Sequence, residues 1–163
     1  MVVVSDTSPI INLAIIGQLE LLPKLFQTVV LPNAVFEEIV TNGFGLPSSF
    51  EISQANWVDV RRCQDHSLVH ALLEELDHGE SEAILLAREI RADVILIDED
   101  LGRKIALRYQ LQPLGILGIL LKAKQAGLIT SVKPLMDELM QTARFFIGTK
   151  LYNDVLSLAD ERL

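Results

Sequence analysis

The stretch that most constrains this chain is Val94-Ile95-Leu96-Ile97, four apolar residues in a row that run directly into Asp98-Glu99-Asp100. An unbroken apolar run of strand length has no polar face to turn to water. It reads as a strand covered on both sides, the kind found inside parallel sheets flanked by helices. A second run, Val2-Val3-Val4, ends in the same way, in Ser5-Asp6-Thr7-Ser8-Pro9, with Ser8 placed to cap a helix and Pro9 at its first position. The remaining pattern alternates. A helix is predicted over 10 to about 26 with a break at Gly17 or Pro23, a strand over 28–31, a helix over 34 to about 41, a loop over 42–49 and a strand over 57–60. Helices over 65–76 and 80–90 precede the central run; a helix from Leu101, a last strand over 114–117 and helices from about Ile119, Lys133 and Leu151 follow it. This alternation predicts an α/β fold built on a parallel sheet.

Half of the 163 residues are apolar, enough for one core. We expect a single domain over 1–163, with C-terminal helices from about 132 packing on it or extending it. The one cysteine, Cys63, excludes an internal disulfide, and His66, His70 and His78 lack zinc-site spacing. No apolar stretch approaches the ~18 residues of a membrane span, and the first residues lack the basic lead of a signal peptide. The expectation is a cytoplasmic protein without a membrane partner. A net charge of −8 argues against nucleic acid, yet Arg103, Lys104, Arg108, Lys122, Lys124 and Lys133 fall in a stretch with no acid, which predicts one basic surface.

In an open α/β sheet, ligands bind beyond the carboxyl ends of the strands, and both clear strands end there in acid, Asp6 and Asp98. Buried like charges drive each other toward protonation unless a cation lies between them. The alternative is that such acids cap the following helices; since Ser8 and Asp100 can supply those caps, Asp6 and Asp98 are left without a structural role. Glu80, at about 100° per residue, falls among Ala83, Ile84 and Ala87, where an unpaired carboxylate is costly. It also stands at the third helical position of a capping box begun by Asp77, so cap and metal ligand are both open. Glu82 lies on the other side of that helix and reads as a solvated acid. Periodicity does not choose between Glu37 and Glu38.

Four motifs occur in order: Val-Val-Ser-Asp-Thr-Ser-Pro ending at Pro9, Pro-x-x-Val-x-x-Glu from Pro32 to Glu38, Gly-Glu-x-Glu-Ala from Gly79 to Ala83, and Asp-x-Asp-x-Gly-Arg from Asp98 to Arg103. Together with the glycine-spaced segment 114–118 they resemble the PIN-domain nucleases, in the branch related to VapC-type toxins. The resemblance implies a three-layer α/β/α sandwich around a central, mostly parallel sheet and a metal-dependent endonuclease, usually of RNA, with Asp6, Glu38, Glu80 and Asp98 as its acids and Mg²⁺ or Mn²⁺ as cofactor. It further implies Asp100 as an accessory ligand, Ser8 as a group orienting Asp6 or a bound water, a small antitoxin partner and a homodimer. Related sequences tend to carry Thr where this chain has Ile116, which puts substrate or backbone positioning in question.

Phosphodiester hydrolysis needs an activated water and stabilised charge on attacking and leaving oxygens, which hard cations held by carboxylates supply. In this reading Asp6 and Asp98 ligate directly, Glu38 and Glu80 bind metal-bound waters or a second ion, and Arg103, Lys104 and Arg108 hold RNA phosphates. A splayed single strand suits a concave site better than a duplex. Competing readings are a phosphatase of the haloacid-dehalogenase kind, which wants an acid where Ser8 stands, a phosphoacceptor receiver domain, which wants a lysine after a later strand, and a non-catalytic interaction module with the acids as helix caps.

Overall fold

The computed structural model describes residues 1–162. Its strands are β1 (Val3–Ser5), β2 (Val29–Pro32), β3 (Val58–Arg61), β4 (Val94–Leu96) and β5 (Pro113–Leu114). They form one sheet in the order β3-β2-β1-β4-β5, with every neighbouring pair parallel. Alternate side chains of a strand face opposite ways, and the two cores follow from that. Val3, Val29, Leu31 and Leu96 pack with Ile10 and Leu13 of α1 (Thr7–Ile15), Leu22 of α2 (Leu21–Phe26), Ile119 of α8 (Ile116–Gln125), Met136 of α9 (Lys133–Gln141) and Val155 of α10 (Thr149–Leu158). Val4, Val30, Ile95 and Ile97 pack on the other face with α5 (His66–Leu72), α6 (His78–Glu89) and α7 (Asp100–Arg108). The expected three-layer α/β/α architecture is therefore observed, with an all-parallel sheet.

Several boundaries differ from expectation for local reasons. The long helix predicted from residue 10 is two helices, broken where Gly17 takes a left-handed φ of 69°, while Pro23 sits inside α2. Helix α3 (Asn33–Phe36) continues as a π-turn over Glu37–Thr41, closed by Asn42 N–H on Glu37 O at 2.9 Å. The predicted loop over 42–49 ends early, because Pro47 opens α4 (Pro47–Gln54) from its first turn, and Ser49 Oγ donates to Val40 O at 2.8 Å. The last strand keeps only Pro113–Leu114, since α8 already starts at Ile116.

Candidate active site

The chain builds β1, β2 and β3 to one side and then returns to lay β4 and β5 on the other, so strand order reverses between β1 and β4. The crevice beyond the carboxyl ends at such a reversal is where open α/β sheets bind ligands. Ser5 is in register with Leu96, and Asp6 N–H donates to Leu96 O at 2.9 Å. Asp6 and Asp98 thus leave neighbouring strand ends. Asp6, only 3% exposed, stands at the cap position of α1 without a capping bond from its side chain.

Glu80 enters from the first turn of α6 and is 7% exposed. Asp77 Oδ1 accepts its backbone N–H at 2.8 Å, the first half of the predicted capping box. Glu80 Oε2 is nevertheless buried with no hydrogen-bond partner. Gly102 makes room for it: a Cβ there would stand 2.8 Å from that oxygen. Glu38 comes from the π-turn. Thr7 Oγ1 donates to its Oε2 at 2.5 Å, and its Oε1 lies so close to Gly79 that a Cβ there would stand 2.7 Å away. Glu37 is exposed. Ser8, expected to orient Asp6 or a bound water, forms no side-chain hydrogen bond among the described residues, and the hydroxyl that reaches an acid, Glu38, is that of Thr7. No local pattern signals a contact across 31 residues of chain.

Asp98 has a structural role after all. Its Oδ1 accepts the Ile116 N–H at 2.8 Å and so caps α8, whose own cap residue, Gly115, has no side chain to offer. Its Oδ2 is buried and unpartnered. Ile116 therefore positions Asp98 through its backbone, with its side chain in the core, and the missing hydroxyl is not needed for that contact. Neither Ser8 nor Asp100 supplies the cap expected of it; α1 and α7 start at Thr7 and Asp100 without side-chain caps.

Burial sets the electrostatics. It pushes the Asp6 carboxyl up to about 8, against the pull of the Thr7 N–H, with Glu80, Asp77 and Glu38 adding repulsion. Burial likewise raises Glu80 to about 7, with Asp77 repelling it, and Asp98 to about 6, opposed by the Ile116 N–H and by Arg103. Glu99 raises both Glu80 and Asp98. Among the described residues no three Asp, Glu, His or Cys side chains close into a ready ligand cluster. A hard divalent cation of the magnesium kind does not require one, because it keeps several waters and takes only one or two carboxylates directly. Glu80 Oε2 and Asp98 Oδ2, each buried without a partner, are donors of the kind such an ion takes, and Asp6 is close enough to Glu80 to be repelled by it.

From Asp98 a cleft of about 590 Å³ runs between α8 and α10, lined by Asp100, Arg103, Leu117, Leu121 and Phe146 among others. Phe146 is 88% exposed. Arg103 Nη1 donates to Ile97 O at 3.3 Å beside Asp98. Lys104 is exposed on the same helix, whereas Arg108, about 12 Å along it, pairs with Glu75 at 3.6 Å and is not brought to the acids. The predicted basic surface is also interrupted, since Lys124 binds Glu161 and Lys133 binds Asp137. Glu82 is not the solvated acid expected: it accepts the Ala34 N–H and pairs with His78.

A family model described as a PIN domain matches residues 2–161. Among curated proteins, none matches the chain.

Proposed function

This chain belongs to the PIN-domain family, whose members are nucleases, and we propose that it is a divalent-metal-dependent endoribonuclease that hydrolyses single-stranded RNA. The observation that carries the reading is the presence of two buried, unpartnered oxygens, Glu80 Oε2 and Asp98 Oδ2, together with buried Asp6 at the end of the strand next to the one that leads to Asp98. An orphaned buried carboxylate oxygen is costly, and a hard cation is the partner its chemistry calls for.

In this reading Asp6, Glu80 and Asp98 would hold Mg²⁺ or Mn²⁺, one or two of them directly and the rest through its waters, and Asp100, exposed at the start of α7, would be an accessory ligand. The bound ion supplies an acidified water and a counter-charge for the leaving oxygen. Glu38, held by the Thr7 hydroxyl and against Gly79, would orient an attacking water and accept its proton. Arg103 lines the cleft beside Asp98, so its guanidinium holds a phosphate of the strand that enters there; Lys104 adds charge without a fixed contact. The capping alternative accounts for one Asp98 oxygen and for the Asp77 bond to Glu80, and leaves Glu80 Oε2, Asp98 Oδ2 and Asp6 unexplained.

Purified chain incubated with single-stranded RNA tests this. Cleavage should require Mn²⁺ or Mg²⁺, stop with a chelator, and fall by about 10²-fold or more in Asp6→Asn, the scale of losing a charge-stabilising group. Metal-independent cleavage, or full activity in Asp6→Asn, contradicts it. The toxin role, its small protein antitoxin and a homodimer rest on the motif resemblance, and a cytoplasmic location on the single cysteine and the lack of a basic lead. Growth arrest on expression, relieved by Asp6→Asn, and the size of the purified chain in solution test the first and third.

A further inference from the structure

Glu82 is the second acid of Gly79-Glu80-Ser81-Glu82, and its side chain is only 14% exposed. Its Oε1 accepts the Ala34 N–H at 3.1 Å, and its Oε2 lies 2.9 Å from His78 Nε2, four residues back on the same helix. Ala34 is in the first turn of α3, where backbone N–H groups have no partner inside the helix and where a carboxylate also meets the positive end of the helix. Helix α3 runs without a break into the π-turn that carries Glu38. The Glu38 carboxylate then returns to α6, against Gly79 and next in sequence to Glu80. Two of the site acids therefore ride on two helices, and one carboxylate ties the first turn of one to the other.

We propose that Glu82 is a positioning residue: through the Ala34 N–H it fixes how close the segment carrying Glu38 stands to α6, and so where Glu38 sits relative to Glu80 and Asp6. The inference uses the nuclease reading only for its kinetic consequence. The contact that matters is the hydrogen bond, which an amide oxygen at the same reach also makes and a shorter carboxylate does not. Misplacing a reacting group by about 1 Å costs on the order of 10²-fold in rate, so a small shift of α3 is enough to register.

The experiment uses the full chain with Glu82→Gln, Glu82→Asp and Glu82→Ala. The amide resonances of Gly79 and Thr7, which flank the Glu38 carboxylate, are recorded without metal and compared with those of Glu38→Gln; kcat and KM for single-stranded RNA are then measured with Mn²⁺. Glu82→Gln should keep both resonances and kcat close to wild type. Glu82→Asp and Glu82→Ala should move Gly79 and Thr7 and lower kcat by about 10-fold or more at unchanged KM, the scale seen when a group orienting a ligand is lost. The proposal is overturned by a folded Asp or Ala variant with wild-type resonances, or by a Gln variant as impaired as Asp. Should the wild-type chain cleave nothing, the nuclease reading fails while the resonances still decide the placement of Glu38. If the Ala variant does not fold, the Gln and Asp pair carries the test.

Discussion

Asp98 divides its carboxylate between two tasks, Oδ1 capping α8 and Oδ2 facing the crevice unpartnered. The two tasks separate by substitution. Asp98→Asn still offers an oxygen to the Ile116 N–H, so it should fold with near wild-type stability and lose Mn²⁺ affinity in a calorimetric titration. Asp98→Ala should lose the affinity and also about 1 kcal/mol of stability, the usual worth of a helix cap, by urea unfolding. Gly79→Ala runs the opposite way. Gly79 lies in the first turn of α6, where alanine suits a helix better than glycine by up to about 1 kcal/mol, yet its Cβ would displace the Glu38 carboxylate. The expected result is an unchanged or higher melting temperature with kcat lowered about 10-fold or more. At this scale the sequence shows which acids end strands, because a run of apolar residues stopping at Asp6 or Asp98 is a local signal. It does not separate Glu38 from Glu37, or Thr7 from Ser8, because what distinguishes them is a partner about thirty residues away.

Among the elements, the strands and the helices with clear apolar periodicity were legible, and the failures have physical causes. A π-turn carries no compositional mark, so the Glu37–Thr41 widening could not be read from its residues. Segment 47–54 is short of apolar residues and begins with the proline and serines that also mark loops, yet Pro47 at the first helical position starts α4. The basic stretch is interrupted as a surface because Glu75 and Glu161, distant in sequence, fold back on Arg108 and Lys124. Glu161 is the clearest case: Oε2 accepts Lys124 Nζ at 2.9 Å and Val132 N–H at 2.7 Å, and Oε1 accepts Lys133 N–H at 3.0 Å. This carboxylate ties the end of the chain after α10 to the start of α9 and to α8. Glu161→Ala leaves two backbone donors and an ammonium without it and should cost about 2 kcal/mol in urea unfolding, with kcat per folded molecule unchanged. An unchanged unfolding midpoint would show that water replaces the tie at no loss.

For the molecule as a whole, the buried acids make stability depend on pH in an unusual direction. Asp6, Glu80 and Asp98, raised to about 8, 7 and 6, hold protons in the folded chain that the unfolded chain has already released. The native state then binds more protons than the unfolded state between about pH 4 and pH 8, so stability falls as pH rises through that range. The lowered carboxyls Asp65, Asp137 and Glu161 act below that window, with stability lost as they protonate. The melting temperature of metal-free protein should therefore drop from pH 5 to pH 8. Mn²⁺ should flatten the drop by favouring the deprotonated acids, and Asp6→Asn should shrink it; a melting temperature that rises over this range contradicts the burial account.

The central claim is that acids from β1, α6 and β4 share one cation, and an anomalous difference map of crystals soaked in Mn²⁺ reads it directly. A peak bounded by Asp6, Glu80 Oε2 and Asp98 Oδ2, absent from Asp6→Asn crystals, is the predicted result. Manganese bound only elsewhere on the surface, with these three carboxylates left protonated and without an ion, would contradict it.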